Sequence, residues 1–197
     1  IECELFFQDE DGRSEAVKLK VNAANGFEFF VPTHQATFFG FSDQKIRRDN
    51  QILIERPTNS GGLDRLFCSM LTLQFQPAVV DGDVAKKNST RLQLASIQAE
   101  GSKVIFNSLE QNVTAMMHRL RYHVEERVME MSGGLTPATG RPNSVQIHQN
   151  SRMLTAAYVI AAHDIDNQIQ MIECRGPGRI EPSDLPSAST LPENEDA

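Results

Sequence analysis

Long apolar runs are missing from this chain of 197 residues. The longest, such as Ala156 to Ala162, fall far short of the roughly 20 residues that a membrane-crossing helix needs, which excludes a helical span. Positive charge is scarce as well. Lys and Arg number 19 against 26 Asp and Glu, a formal net charge of −7, so no basic stripe is available to neutralise a run of phosphates. Basic pairs such as Arg47-Arg48 and Lys86-Lys87 read as solvated loop residues. Cysteine is limited to Cys3, Cys68 and Cys174, too widely spaced for the paired ligands of a zinc site or a redox dithiol. They read as small buried hydrophobes. Neither an initiator methionine nor a basic, apolar leader precedes Ile1-Glu2-Cys3, so the chain reads as a mature form or an excised piece.

Catalytic signatures are absent too. There is no Gly-x-Ser-x-Gly elbow, no glycine-rich phosphate loop and no His-Glu-x-x-His helix, and Gly176-Pro177-Gly178 reads as a turn. His118 and His123 are five apart, which in a strand puts them on opposite faces, and His34, His148 and His163 have no ligand-like neighbours. Asp9-Glu10-Asp11 and Glu125-Glu126 sit in apparent turns and read as solvated charges, not a general acid and base. Asn88-Ser89-Thr90 and Asn112-Val113-Thr114 match glycosylation sequons, but the second falls where a strand should begin. These absences predict a protein that is not an enzyme and that needs no metal and no cofactor.

What is present is alternation. Leu71, Leu73 and Phe75, then Leu92 and Leu94, Val104 and Phe106, and Val145 and Ile147 each recur at a spacing of two, the period of a strand. Turn clusters separate them: Thr58 to Gly62, Asp81-Gly82-Asp83, Ser132-Gly133-Gly134 and Pro137 to Gly140. Residues Leu109 to Glu130 are rich in helix formers. Strands are nevertheless predicted there, because Val113-Thr114-Ala115 leads into an alternation of Leu120, Tyr122 and Val124, and Val128 and Met131 stop just before a glycine pair.

An internal repeat organises these runs. At an offset of 41 residues Val104 and Phe106 fall on Val145 and Ile147, Val113-Thr114-Ala115 on Leu154-Thr155-Ala156, and Tyr122 on His163. After a two-residue insertion, Met129 to Gly133 falls on Ile172 to Gly176. A looser copy runs through Ile52-Leu53-Ile54, Leu66-Phe67-Cys68 and Phe75, with Ala78 to Arg91 as an inserted loop before Gly101. Gly40, after Ala36-Thr37-Phe38-Phe39, closes an earlier copy to which Cys3, Leu5 and Phe7 contribute a strand. Units of this size cannot bury their own apolar face, so they must stack into an elongated sheet structure.

The order of a glycine-closed strand, an apolar-Thr-Ala step and an apolar strand ending in glycine is carried by Ala99-Glu100-Gly101, Val113-Thr114-Ala115, Leu120-Arg121-Tyr122 and Val128 to Gly133. Leu154-Thr155-Ala156 with Ile172 to Gly178 repeats it, and Asp64 to Cys68 with Leu71 and Phe75 gives a more divergent copy. This order resembles the repeat of the OstA-like family, which includes the periplasmic lipopolysaccharide-bridge proteins and the amino-terminal domain of their outer-membrane partner. The likeness covers about Phe38 to Ile180.

That resemblance implies an all-β fold, an elongated, twisted β-jelly roll that is V-shaped in section and built from short antiparallel strands in repeats of about 41 residues. It implies an apolar groove that binds lipopolysaccharide or a related acylated lipid and passes it across the periplasm toward the outer membrane, with members joining head to tail through β edges. Candidate groove residues are one face of each alternating strand: Leu71, Leu73 and Phe75; Val104 and Phe106; Leu120 and Tyr122; Val145 and Ile147. Met116, Met117, Met129, Met131 and Met153 would suit a surface that adapts to varied chains, or serve as gap fillers. The expected organisation is a jelly-roll domain over 1–180 and a Pro-, Ser- and acid-rich tail over 181–197. The inserted loop at Ala78 to Arg91, the long segment at Asp9 to Pro32 and the acidic tail depart from the simplest bridge protein.

Two further readings compete. A closed-core β-solenoid scaffold would use the same repeats and bind other proteins through its sheet edges. A carbohydrate-active β-helix enzyme is disfavoured, because no paired carboxylates occur at repeat-related positions.

Overall fold

The computed structural model describes residues 2–7, 17–23, 25–40, 51–58, 61–77, 92–134, 143–164 and 169–182. Among them the chain forms β1 (Glu2–Phe7), β2 (Val17–Asn22), β3 (Phe27–Phe30), β4 (Gln35–Phe39), β5 (Ile52–Pro57), β6 (Leu63–Cys68), β7 (Met70–Pro77), β8 (Leu92–Ser108), β9 (Val113–His123), β10 (Val128–Ser132), β11 (Val145–Gln149), β12 (Arg152–His163) and β13 (Ile169–Pro182). A single 3-10 turn, Val31–Thr33, links β3 to β4. The stretch rich in helix formers is β9, a turn and β10, as its alternation predicts. There the cross-strand packing of Leu120 opposite Met131 and of Tyr122 opposite Met129 overrides weak local propensity.

Every pairing is antiparallel, and the strands form one continuous sheet. The sheet is creased into two leaves by strands that run through both. β8 pairs with β7 over 92–100 and with β6 over 105–108. β9 pairs with β11 over 113–116 and with β10 over 119–123. β12 pairs with β11 over 152–156 and with β10 over 158–162. The first leaf is therefore β3, β4, β7, β10 and the near halves of β8, β9, β12 and β13. The second leaf is β1, β2, β5, β6, β11 and the other halves.

The crease is marked by register breaks. One lies between Glu100 and Val104 in β8, another between Ala156 and Tyr158 in β12, and Ser69 separates β6 from β7 while its N–H donates to the Glu100 carbonyl at 3.0 Å. Gly176-Pro177-Gly178 is not a turn, contrary to expectation. It lies inside β13 on this crease, where Gly176 takes a φ of 83° and Pro177 has no N–H to place in the ladder. β2 and β3 occupy part of the long segment between Asp9 and Pro32, and β13 continues through Pro182, two residues beyond the expected boundary. The inserted loop at 78–91 and the tail over 183–197 lie outside the described residues.

The repeat is visible in this architecture. The second half of β8 with β9 and β10 is followed by the same arrangement in β11, β12 and β13. Val113 corresponds to Leu154 at the offset of 41, yet the residue level with Leu154 across β11 is Ala115. Likewise Tyr122 corresponds to His163 but lies level with Ala161 across β10. Each copy is thus sheared by two residues against the next. A two-residue shift preserves strand alternation, so the same face stays inward in every copy.

The inward rows carry the core. Phe38, Leu71, Ala99, Leu120, Met131 and Val159 follow one another across the first leaf and are buried. Ile52, Cys68, Val104, Met117, Val145 and Ala156 are the corresponding buried residues of the second leaf, near the crease. Burying an aliphatic side chain of this size contributes about 1.5–3 kcal/mol, so these two rows hold the leaves together. The opposite faces carry cross-strand ion pairs such as Arg65 Nε with Glu55 Oε1 at 3.1 Å and Arg119 with Glu100, beside an apolar row of Leu53, Phe67, Ile105 and Met116. At one end the hairpin turns are tied together, Asn112 Nδ2 donating to Asn150 Oδ1 at 2.7 Å.

Candidate functional site

Moving away from the crease, the leaves diverge and a partly open cavity of about 120 Å³ lies between them. Ile54, Leu66 and Phe106 line it from the second leaf, and Ile97, Leu120, Tyr122 and Met129 from the first. These walls follow from register. Leu66 pairs with Phe106, and Ile97 with Tyr122, which in turn pairs with Met129, so each leaf presents one inward row.

One row farther out, the second leaf turns polar. Arg56, Asp64 and Ser108 are successive cross-strand neighbours on β5, β6 and β8, and all three line the cavity. Arg56 Nη2 donates to Asp64 Oδ2 at 2.6 Å. Asp64 and Ser108 are buried, and the Gln111 N–H donates to Ser108 Oγ at 3.4 Å. Asp64 Oδ1 is also buried, and no protein donor reaches it among the described residues. Tyr122 faces this row from the first leaf. Burial pushes its hydroxyl above the ordinary tyrosine range, while Arg56 and Arg127 pull the other way. The result is an apolar trough with a polar lip on one side. It can hold hydrocarbon by burial and offer hydrogen bonds where the hydrocarbon ends.

The nine predicted groove residues all lie in or against the inward core. Leu71, Leu73, Val104, Leu120 and Val145 are buried, and Phe75, Phe106, Tyr122 and Ile147 are partly buried against them. The cavity gathers only Phe106, Leu120 and Tyr122. The others sit closer to the crease or toward the ends of the trough. Ile54, Leu66 and Ile97 are not among the residues that alternation marks as groove, nor are Arg56, Asp64, Ser108 and His163. The repeat held one usable signal, since Tyr122 and His163 are repeat-equivalent and both line the cavity. Of the methionines, Met117 and Met131 are core, while Met129 faces the cavity.

A larger depression of about 370 Å³ lies on the outer face of the first leaf, walled by Thr37, Thr72, Gln74, Ser96, Gln98 and Arg121 among others. Its polar walls offer an apolar chain little to bury against, so the inner cavity is the site that suits hydrocarbon. No group of three or more His, Cys, Asp or Glu suited to a metal converges among the described residues. Among the described residues no helix is long and apolar enough to cross a membrane, which says nothing about strands.

No protein-family model matches the chain, and no curated relative does either. Solved structures do match. The crystal structure of LptH, the LptA-homologous periplasmic component of the conserved lipopolysaccharide transport device from Pseudomonas aeruginosa, aligns with a TM-score of 0.53 at 11% identity. The match covers 85% of this chain and 95% of that one. At this identity the likeness carries no individual residue across and concerns the path of the backbone. The chain shares the backbone fold of LptH and is an antiparallel β-jelly roll, the fold that the resemblance of its repeat to the OstA-like family implies.

Proposed function

We propose that this protein binds lipopolysaccharide or a related acylated lipid along the inward face of its two leaves and hands it on across the periplasm toward the outer membrane. The observation that carries the reading is the apolar cavity between Phe106 and Tyr122, opening between the leaves of a fold shared with a lipopolysaccharide-transport component. Each methylene moved from water into such a trough contributes about 0.8 kcal/mol, so a short acyl segment is held by burial alone and no bond-making step is needed. At about 120 Å³ the cavity fits a segment of chain and not a whole lipid. The leaves therefore part beyond the Ile97 and Met129 row when a full ligand enters.

Hand-over requires a partner. β13 is a sheet edge with Met171, Ile172 and Ile180 exposed, and β3 is an edge with Phe27, Phe29 and Phe30 exposed. An open strand templates pairing with another strand, which supports head-to-tail contact with a second copy or another jelly-roll transport protein. The small size of the cavity favours a second reading, a closed scaffold that uses these edges alone.

Native mass spectrometry of the chain with lipopolysaccharide, and with a phospholipid as control, separates the two. The transport reading expects a saturable lipopolysaccharide complex that is weakened at least tenfold in a folded Phe106→Asp variant. No adduct, or one indifferent to Phe106→Asp, leaves the scaffold.

A further inference from the structure

The polar lip asks for something that a plain hydrocarbon does not have. Asp64 sits in β6 one row beyond the apolar row of Leu66, its side chain 7% exposed. Asp64 lines the cavity, and Arg56 engages Oδ2, while Oδ1 is buried with no protein donor among the described residues. A buried acceptor left without a donor costs free energy, and an ionised one costs more. Arg56 and Ser108 flank it on either side in the same row, so the carboxylate cannot turn to a new partner without breaking the pair at 2.6 Å.

We propose that Asp64 Oδ1 is a recognition site for a hydrogen-bond donor carried by the lipid at the junction of acyl chain and headgroup, a hydroxyl on the chain or on the headgroup. This rests on the lipid-binding reading and adds the chemical feature that is selected. Geometry fixes the position of the donor. Rows running from the crease to Leu66, Phe106, Leu120 and Met129 are apolar and take the chain. The row of Arg56, Asp64 and Ser108 lies one step farther toward the mouth, where the chain leaves the trough. A hydroxyl near the head end donates to Oδ1, while the terminal methylenes remain among the apolar rows. Arg56 holds the carboxylate in place and is a positioning residue here.

The test is competition against a fluorescent apolar dye bound by the full chain. The probes are uncharged, so that their own carboxylate does not meet Asp64: methyl tetradecanoate, methyl 3-hydroxytetradecanoate and monotetradecanoylglycerol. The proposal expects one of the hydroxylated probes to displace the dye about tenfold more strongly than methyl tetradecanoate. Preference for the first identifies a hydroxyl on the chain, and preference for the second a hydroxyl on the headgroup. In Asp64→Leu that advantage disappears, and the hydroxylated probes displace the dye no better than methyl tetradecanoate. Should Asp64→Leu fail to fold, the wild-type ranking decides alone. Equal displacement by all three probes overturns the proposal but leaves the trough as an acyl site. A dye that never binds, with no competition by any probe, overturns the lipid-binding reading and this proposal with it.

Discussion

Arg56 and Asp64 stand directly opposite each other on β5 and β6, joined from Nη2 to Oδ2 at 2.6 Å, and burial is unequal between them: the arginine side chain is 37% exposed and the carboxylate 7%. Removing the arginine therefore strands a buried charge, whereas removing both leaves a site that apolar groups can fill. Arg56→Met is expected to lower stability by about 1–3 kcal/mol in urea unfolding. Arg56→Met with Asp64→Leu should recover most of that loss. A double variant as unstable as the single one would mean that Asp64 is satisfied without Arg56.

Gly133 closes β10, and a Cβ there would come within 2.0 Å of the Asn143 carbonyl oxygen, a backbone atom that cannot swing aside. Gly133→Ala is expected to cost about 1–3 kcal/mol or more in the same assay. A cost below 0.5 kcal/mol, roughly the level of an ordinary surface change, would show that β10 and the segment before β11 are not held this closely.

Cys68 is fully buried, and burial pushes its thiol up from 9.0 to about 12. The folded chain keeps this proton while the unfolded chain loses it above about pH 9. Stability from this group is therefore complete below pH 9 and falls as pH rises toward 12, by at most about 1.4 kcal/mol per pH unit. Cys68→Ala should flatten that slope. In a Cys3→Ser background at pH 8, a thiol reagent should label exposed Cys174 and spare Cys68 until the chain is unfolded. Equal labelling of both in the native protein would contradict the burial.

The strand pairing proposed for β13 would make association sensitive to charge on its exposed face. Ile172→Lys, at a position 48% exposed, should leave thermal stability within about 0.5 kcal/mol and reduce self-association seen by light scattering across a concentration series. Unchanged association would place the contact elsewhere.

Much of this fold is written in the sequence as alternation. Val104 with Phe106 and Val145 with Ile147 mark the starts of two structural repeats because a strand with one buried face must alternate, and the offset of 41 survives because a shear of two residues leaves that alternation intact. The crease was not legible. Gly176-Pro177-Gly178 has the composition of a turn, and its pairing with β12 on both sides, Arg175 opposite Tyr158 and Gly178 opposite Ala156, makes it an irregularity within one strand. The lip was missed for a related reason. Arg56, Asp64 and Arg65 look like the charges of a solvated strand, and nothing local shows that Asp64 faces inward while Arg65 pairs with Glu55 outside. Ile97 is not legible as a groove residue because its importance comes from pairing with Tyr122, a long-range register that no short window contains.

Site-specific photocrosslinking tests the central claim, that acyl chains lie between the leaves, most directly. A photoreactive phenylalanine analogue is placed at Tyr122 on the inward face, and in a second protein at Gln98, on the outer face of the same leaf. The account predicts lipopolysaccharide crosslinks at Tyr122 and few or none at Gln98. Crosslinks that are equal at the two positions, or confined to Gln98, would contradict it.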